Sequence, residues 1–293
     1  MGPTASGKTS LAIELAQKLD AEIISVDSAI VYKGMDIGTA TPSIEEMSGV
    51  PHHLVNIRDP SDPYSAADFR RDAVELILQI SERRRLPILT GGTMLYFKAL
   101  KDGLAEMPAA DQEIRNSISA RAEEQGWPAI HAELARIDEK AAARINPNDP
   151  QRLQRALEVY LISGKSLTKW QEHAMPECPF ELTELAILPP DRRELHRKIE
   201  ARFHQMLQQG LIDEVDSLYR RGDLHWELPS IKSVGYRQVW SYLEGQLTYD
   251  AMVDKAIIAT RQLAKRQFTW LRSWRDLKLL ESPLCSEALK IVG

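Results

Sequence analysis

Eight residues at the start of the chain carry the first recognisable chemistry. Gly2-Pro3-Thr4-Ala5-Ser6-Gly7-Lys8-Thr9 fits the G-x-x-x-x-G-K-[ST] phosphate loop at every position. Its glycines let the backbone turn so that successive N–H groups face an anion. Lys8 is placed to lie along the outer phosphates, and the Thr9 hydroxyl to hold Mg²⁺. Asp27 is the second reactive group. It ends the apolar run Glu22-Ile23-Ile24-Ser25-Val26, and in open α/β sheets ligands bind beyond the carboxyl ends of the strands. Asp27 and Ser28 are therefore expected beside the phosphate loop; capping the next element is the other role open to Asp27.

The third feature is basic. Lys255 to Lys278 holds Lys255, Arg261, Lys265, Arg266, Arg272, Arg275 and Lys278 against a single acid, Asp276. On a helix, Ile257, Ala264, Phe268 and Leu271 share one face, which should be buried, while Arg261, Lys265 and Arg272 line its flank. Trp270 and Trp274 lie nearby, placed to stack on bases or to anchor the helix. Exposed arginines and aromatic rings suit unstacked bases, so RNA is the favoured polyanion. Upstream, Ser230 to Arg237 combines a glycine, an aromatic ring and two cations, and reads equally well as an ordinary helix start.

These residues need elements to hold them. The amphipathic stretch Ser10–Leu19 after the phosphate loop reads as a helix that points the positive end of its dipole at a bound anion. Residues 22–27 read as a buried strand. A helix is expected from an N-cap at Ser65, with Asp68 completing a capping box, to about Arg85. Leu86 to Thr90 reads as another parallel strand leading into the Gly91-Gly92-Thr93 turn. It ends in Thr90 rather than an acid, which counts against an ATP-driven motor. Between 109 and 184 helical periodicity takes over, including a helix opened by Asp149 and Pro150 and carrying Arg152 and Arg155 on one face. Strand character returns at Leu185–Leu188. One long helix is expected from Asp191 to about Arg221, bearing Arg192, Lys198 and Arg202, with the acids Asp213, Glu214 and Asp216 as a solvated face.

The expected fold is α/β: a parallel sheet with flanking helices of the phosphate-loop NTPase kind and an inserted all-helical domain. Residues 1–108 form the first part of the core, 109–184 the helical insertion, and 185–293 the second part of the core with its basic helix. The chain has 293 residues, 43% of them hydrophobic and 27% charged, which excludes disordered and low-complexity classes. A net charge of −5 does not by itself suggest a nucleic-acid binder, so the local stripe matters more than the sum. No apolar run spans a membrane, no signal peptide opens the chain, and Cys178 and Cys285 make no disulfide framework or metal spacing. The seven histidines form no metal motif, and His52-His53 reads as a loop detail. A cytoplasmic protein without a membrane partner is expected.

A phosphate loop, a strand-end carboxylate, a helical insertion and a basic helix imply two substrates, a small phosphorylated donor and a polyanion. The chain also resembles bacterial tRNA dimethylallyltransferases. The resemblance rests on residues 2–9, Ser-Val-Asp-Ser-Ala at 25–29, Tyr-Lys-Gly-Met-Asp-Ile-Gly-Thr-Ala at 32–40 and Gly-Gly-Thr-Met-Leu-Tyr at 91–96. It continues in Asn-Asp-Pro-Gln-Arg at 148–152, Val-Gly-Tyr-Arg-Gln at 234–238 and Arg-Gln-Leu-Ala-Lys-Arg-Gln at 261–267. These segments span essentially the whole chain, and the run from Val26 to Ala40 is far more specific than the phosphate loop, which many families share. Two departures stand out. The family strand before the loop is missing, since only Met1 precedes Gly2, which points to a start farther upstream. Lys198 stands where arginine is expected.

The resemblance implies transfer of a dimethylallyl group from dimethylallyl diphosphate to the exocyclic N6 amine of the adenosine 3′ of the anticodon in a tRNA anticodon stem-loop, with Mg²⁺, by a monomer. Gly2, Thr4, Ala5, Ser6, Gly7, Lys8 and Thr9, with Lys198 and Arg202, would bind the diphosphate. Lys8, Thr9 and Asp27 would be catalytic, Thr9 holding the metal and Asp27 taking the amine proton. Ser28, Ala29, Ile30 and Thr93 would shape the adenine pocket around Asp27. The helical insertion, residues 109–184, would be a tRNA-binding domain. Gln151, Arg152, Leu153, Gln154 and Arg155 would contact tRNA, as would Lys232, Ser233, Val234, Gly235, Tyr236 and Arg237. So would Lys265, Arg266, Gln267, Phe268, Thr269, Trp270, Leu271 and Arg272. Two other readings stay open: a small-molecule phosphate-loop kinase using ATP, which gives the basic stripe no purpose, and a non-catalytic RNA-binding switch gated by a nucleotide. A prenyltransferase acting on free adenine nucleotides is a variant of the first reading.

Overall fold

Ala21–Val26 is buried along its whole length, including Glu22 and Ser25, as a strand covered on both faces must be. The computed structural model around it describes residues 1–105, 107–172 and 178–292; residues 173–177 of the expected insertion lie outside the described residues. The first helix, α1 (Lys8–Leu19), ends at Asp20, whose φ of 47° reverses the chain directly into β1 (Ala21–Val26). A single turn, α2 (Ile44–Met47), and the two-residue strand β2 (His52–His53) follow. The pair read as a loop detail thus forms a short strand. The Ser65–Asp68 capping box forms in both directions and opens α3 (Ala66–Glu82). Then come β3 (Leu86–Gly91) and α4 (Met94–Asp102).

The next stretch is helical: α5 (Gln112–Gln125), α6 (Trp127–Ile137), α7 (Glu139–Arg144), α8 (Pro150–Ser163) and α9 (Leu167–Gln171). As the sequence predicts, Asp149 caps α8, its side chain accepting from the Arg152 N–H, with Pro150 in the first turn. After β4 (Leu185–Ile187), the single long helix expected to Arg221 is in fact two, α10 (Arg192–Gln208) and α11 (Leu211–Tyr219). Gly210, at φ 98°, breaks it in a conformation that side chains with a Cβ resist. The chain closes with α12 (Tyr236–Leu243), the long α13 (Tyr249–Ser273), β5 (Lys278–Leu280) and α14 (Cys285–Val292).

The strands make a small parallel sheet, β2-β1-β3, and a parallel pair, β4-β5. Helix α1 serves both. Leu11 and Leu15 pack with Ile187, Leu280, Cys285 and Ala288, whereas Ala12, Ile13 and Ala16 pack with Ala21 and Ile23. The Met1 N–H groups donate to Leu185 O at 2.7 Å, and Ile187 N–H donates to Met1 O at 2.9 Å. Met1, leading into the phosphate loop, is thus hydrogen-bonded alongside β4.

The fold is mixed α/β, and its residues divide into two compact units. One comprises Met1–Leu100 with Phe180–Gly293, the other Lys101–Pro179. The second has its own core, built from Ile118, Ile130, Leu134, Leu153 and Leu157. Among the described residues no helix is long and apolar enough to cross a membrane.

Candidate active site

The phosphate loop lies in the first unit, ahead of α1. Ala5 at φ 60° and Gly7 at φ 84° wind it, and a Cβ on Gly7 would lie 2.9 Å from the Pro283 ring. No acid occupies the first turn of α1, so no side chain there opposes the positive end of its dipole. The Ser6 hydroxyl is buried and bonds to nothing among the described residues, whereas Thr9 is exposed. Lys8 Nζ donates to Pro3 O at 2.6 Å. Burial pushes its ammonium down from 10.5 to about 8, Asp27 pulling it back up and Arg202 adding to the drop.

Asp27 directly follows β1. One carboxylate oxygen accepts from the Ala29 N–H at 2.9 Å; the other takes no hydrogen bond among the described residues. The register of β1 with β3 sets Val26 opposite Gly91, where a Cβ would lie 2.0 Å from Val26 O, so only glycine fits. Two residues on, Thr93 Oγ1 accepts from the Ser28 N–H at 3.1 Å and lies 3.4 Å from Ser28 Oγ. Thr93 thus ties the turn after β3 to the turn after β1. Ala29 and Ile30 are half-buried beside it.

Helix α10 supplies the next cation. Leu195 and Ile199 pack against Ala264 and Phe268 of α13 and against Ala5 of the phosphate loop. Arg202 flanks this buried stripe and is half-buried. Burial lowers its proton affinity, and Asp27 and Glu46 raise it. Lys8, Asp27 and Arg202 therefore share one electrostatic neighbourhood. Lys198 is exposed and pairs with Glu194 at 2.6 Å.

The RNA candidates divide by exposure. On the first unit Lys232, Arg237, Lys265, Arg266, Thr269, Trp270 and Arg272 face solvent, as a phosphate- and base-binding surface requires. Tyr236, Gln267, Phe268 and Leu271 do not: all four side chains are buried. Gly235, at φ 95°, starts α12 and is buried; Val234 is half-buried, and the Ser233 hydroxyl donates to Pro229 O. Arg261 is taken by Glu200 at 2.6 Å, and Trp274 anchors its ring by donating to Glu184 at 2.9 Å. In the second unit Gln151 and Arg152 are exposed, but Leu153 is core. Gln154 donates to Arg115 O and Ser119, and Arg155 to Glu158 and Pro108 O. Those three hold the helices together.

Glu214, expected on a solvated face, is instead drawn into the fold. Its carboxylate accepts from the N–H groups of Asp36, Ile37 and Gly38 at 2.8, 2.8 and 3.1 Å and from Tyr236 Oη at 2.6 Å. The Tyr236 hydroxyl also accepts from Gly38 N–H at 3.1 Å, and a Cβ on Gly38 would strike its ring at 2.5 Å. Residues 32–40, the second part of the specific run from Val26 to Ala40, are thereby clamped to α11 and α12. Of the two glycines in that segment, Gly38 makes this close approach, whereas a Cβ on Gly34 would meet nothing within 4 Å.

A family model described as IPP transferase matches residues 30–274. The full-length tRNA isopentenylpyrophosphate transferase of Bacillus halodurans is 39% identical, with a TM-score of 0.71, the match covering 99% of this chain and 91% of that one. The tRNA delta(2)-isopentenylpyrophosphate transferase of Staphylococcus epidermidis is 33% identical, with a TM-score of 0.69 and coverage of 100% and 95%. A eukaryotic dimethylallyltransferase acting on tRNA is 28% identical, with a TM-score of 0.77, over 92% of this chain and 68% of that one.

Proposed function

The chain belongs to the IPP transferase family, and from that membership we propose that it moves a dimethylallyl group from dimethylallyl diphosphate to the exocyclic N6 of the adenosine 3′ of the anticodon in tRNA. The observation that carries the assignment of roles is the place of Asp27 directly after the parallel strand β1, with Lys8 of α1 and Arg202 of α10 both within its electrostatic reach. We read the core accordingly as a phosphate-loop fold of the NTPase kind whose cradle holds a leaving diphosphate.

In this reading the amides of residues 5–9, Lys8 and Arg202 bind the diphosphate. The N6 lone pair attacks C1 of the prenyl group, the N6–C1 bond forms, and the C1–O bond breaks with its electron pair leaving on diphosphate. Cations and amides held beside that oxygen would stabilise the charge as it grows. The free carboxylate oxygen of Asp27 orients the amine and accepts its proton. The exposed Thr9 hydroxyl at the first turn of α1 suits a Mg²⁺ ion shared with the diphosphate, which would add positive charge to the leaving group. Ser28 and Thr93, tied to each other, wall the adenine side. The cations Lys232, Arg237, Lys265, Arg266 and Arg272, with Trp270 and the separate Arg152, receive the RNA chiefly through its phosphates.

The test is label transfer from radioactive dimethylallyl diphosphate to unmodified tRNA with Mg²⁺, beside an Asp27→Ala control. Label on the adenosine next to the anticodon, lost in the control, is the expected result. Equal labelling of free AMP, or a folded protein stabilised by ATP more than by the prenyl donor, would overturn it.

A further inference from the structure

Gln267 sits among the cations of α13 and yet is 6% exposed. Burying a primary amide is costly unless both of its ends are paired, and here both are. Oε1 accepts from the Thr4 N–H at 2.9 Å, and Nε2 donates to Gly92 O at 2.9 Å. One partner can only donate and the other only accept, so the amide has a single orientation. The space is equally constrained. A Cβ on Gly92 would lie 2.4 Å from Nε2, and Gly92 is not in the left-handed region. A Cβ there would have to displace the paired Gln267 amide, so the closeness of Gln267, not backbone strain, is what favours glycine.

We propose that Gln267 is a positioning residue for the donor site, holding the phosphate loop and the turn after β3 in fixed register from inside the RNA-facing helix. The role rests on the reading of that loop as the diphosphate cradle. Thr4 N–H is occupied by Gln267, so the cradle begins at Ala5, and the Gln267 bond fixes where it begins. The same two turns of α13 show Lys265, Arg266 and Trp270 to solvent. Gln267 thus faces the donor side of a helix whose other side meets RNA. Loss of its amide frees the loop and misaims the following N–H groups, and it leaves the RNA-facing cations where they are.

The experiment compares Gln267→Ala, Gln267→Glu, Gly92→Ala and the double variant Q267A/G92A, with thermal melts to confirm folding. Affinity for inorganic diphosphate is measured by calorimetry without tRNA, alongside KM for dimethylallyl diphosphate and tRNA binding without donor. Q267A and G92A should each weaken diphosphate binding and raise the donor KM by about tenfold, as expected for unmade buried hydrogen bonds, with tRNA affinity unchanged. In Q267E the carboxylate still accepts from Thr4 but has no hydrogen for Gly92 O. Protonation restores that hydrogen, so its donor kcat/KM relative to wild type should rise as the pH falls. In the double variant, alanine at 267 vacates the space that a Cβ at 92 needs, so the two losses should not add.

A lower melting temperature with unchanged donor constants, or strictly additive losses, would overturn the proposal. A wild-type chain that binds diphosphate and transfers nothing would instead overturn the proposed reaction, and the variants' diphosphate affinities would still decide the part played by Gln267.

Discussion

Lys8 is half-buried, and its ammonium is held near pH 8. That position has a functional sign. A lysine neutral in the free enzyme offers no charge to an incoming diphosphate, so kcat/KM for the donor should fall as pH rises through about 8, read from a pH–rate profile at low donor concentration. It has a stability sign as well. The folded state gives up this proton before the unfolded state does, so the charge opposes folding below pH 8 and the penalty fades between there and 10.5. Lys8→Met should therefore abolish transfer at pH 7 while holding or raising the melting temperature; a clear fall in melting temperature would contradict this. Asp27→Asn keeps the shape and removes the proton acceptor, and should lower turnover by about 10²–10⁴-fold with tRNA binding intact. Lys8 and Asp27 are legible in the sequence because their chemistry is written in contiguous motifs. Glu214 and Gln267 are not. Their partners are backbone groups 176 to 178 and 263 residues away in the chain, and no side-chain pattern announces a backbone N–H.

The elements show the same division. Strands β1 and β3 and the capped starts of α3 and α8 are readable because apolar runs and caps are local. β2 and β5 escape notice, being two and three residues long, and the break after α10 hangs on the φ of Gly210 alone. Between elements, one buried carboxylate has a large part. Glu22 in β1 accepts from Arg83 at the end of α3, from Arg85 before β3 and pairs with His53 of β2. Arg83 above all, with His53 and Arg85 and against the cost of burial, holds its carboxyl down at about 2, well below the ordinary 4.5. A depressed carboxylate stabilises fully above its unfolded value and loses that contribution as pH falls toward the folded one. Thermal melts of the wild type should thus decline between pH 4.5 and about 2. Glu22→Gln should flatten that limb and cost roughly 3 kcal/mol at neutral pH. Parallel pH profiles for the two proteins would refute the assignment.

At the scale of the molecule, the division into two units has a physical mark at the chain crossing. Cys178 N–H donates to Lys101 O at 3.1 Å, so the two ends of the unit Lys101–Pro179 lie side by side, as they must when one folded body is inserted into another. Inside it, Ile118, Ile130, Leu134, Leu153 and Leu157 form a core of their own. Glu158, fully buried, is satisfied from three directions: Arg115 at 2.7 and 3.2 Å, Arg155 at 2.6 Å and the Asp111 N–H at 2.9 Å. Every one of these partners belongs to the same unit. We therefore propose that residues 101–179 fold without the rest of the chain. A body of about 80 residues holds only ~3–5 kcal/mol, so the peptide should be helical by circular dichroism at low temperature and melt in one cooperative step well below the full protein. Removing one partner from a buried, charged cluster costs ~3–5 kcal/mol. Glu158→Ala should accordingly leave the isolated peptide unfolded, while in the full chain it should lower the transition belonging to this unit. A peptide with a sloping, non-cooperative melt would mean that the helices depend on the α/β unit for their packing, and the insertion would then be one in topology only.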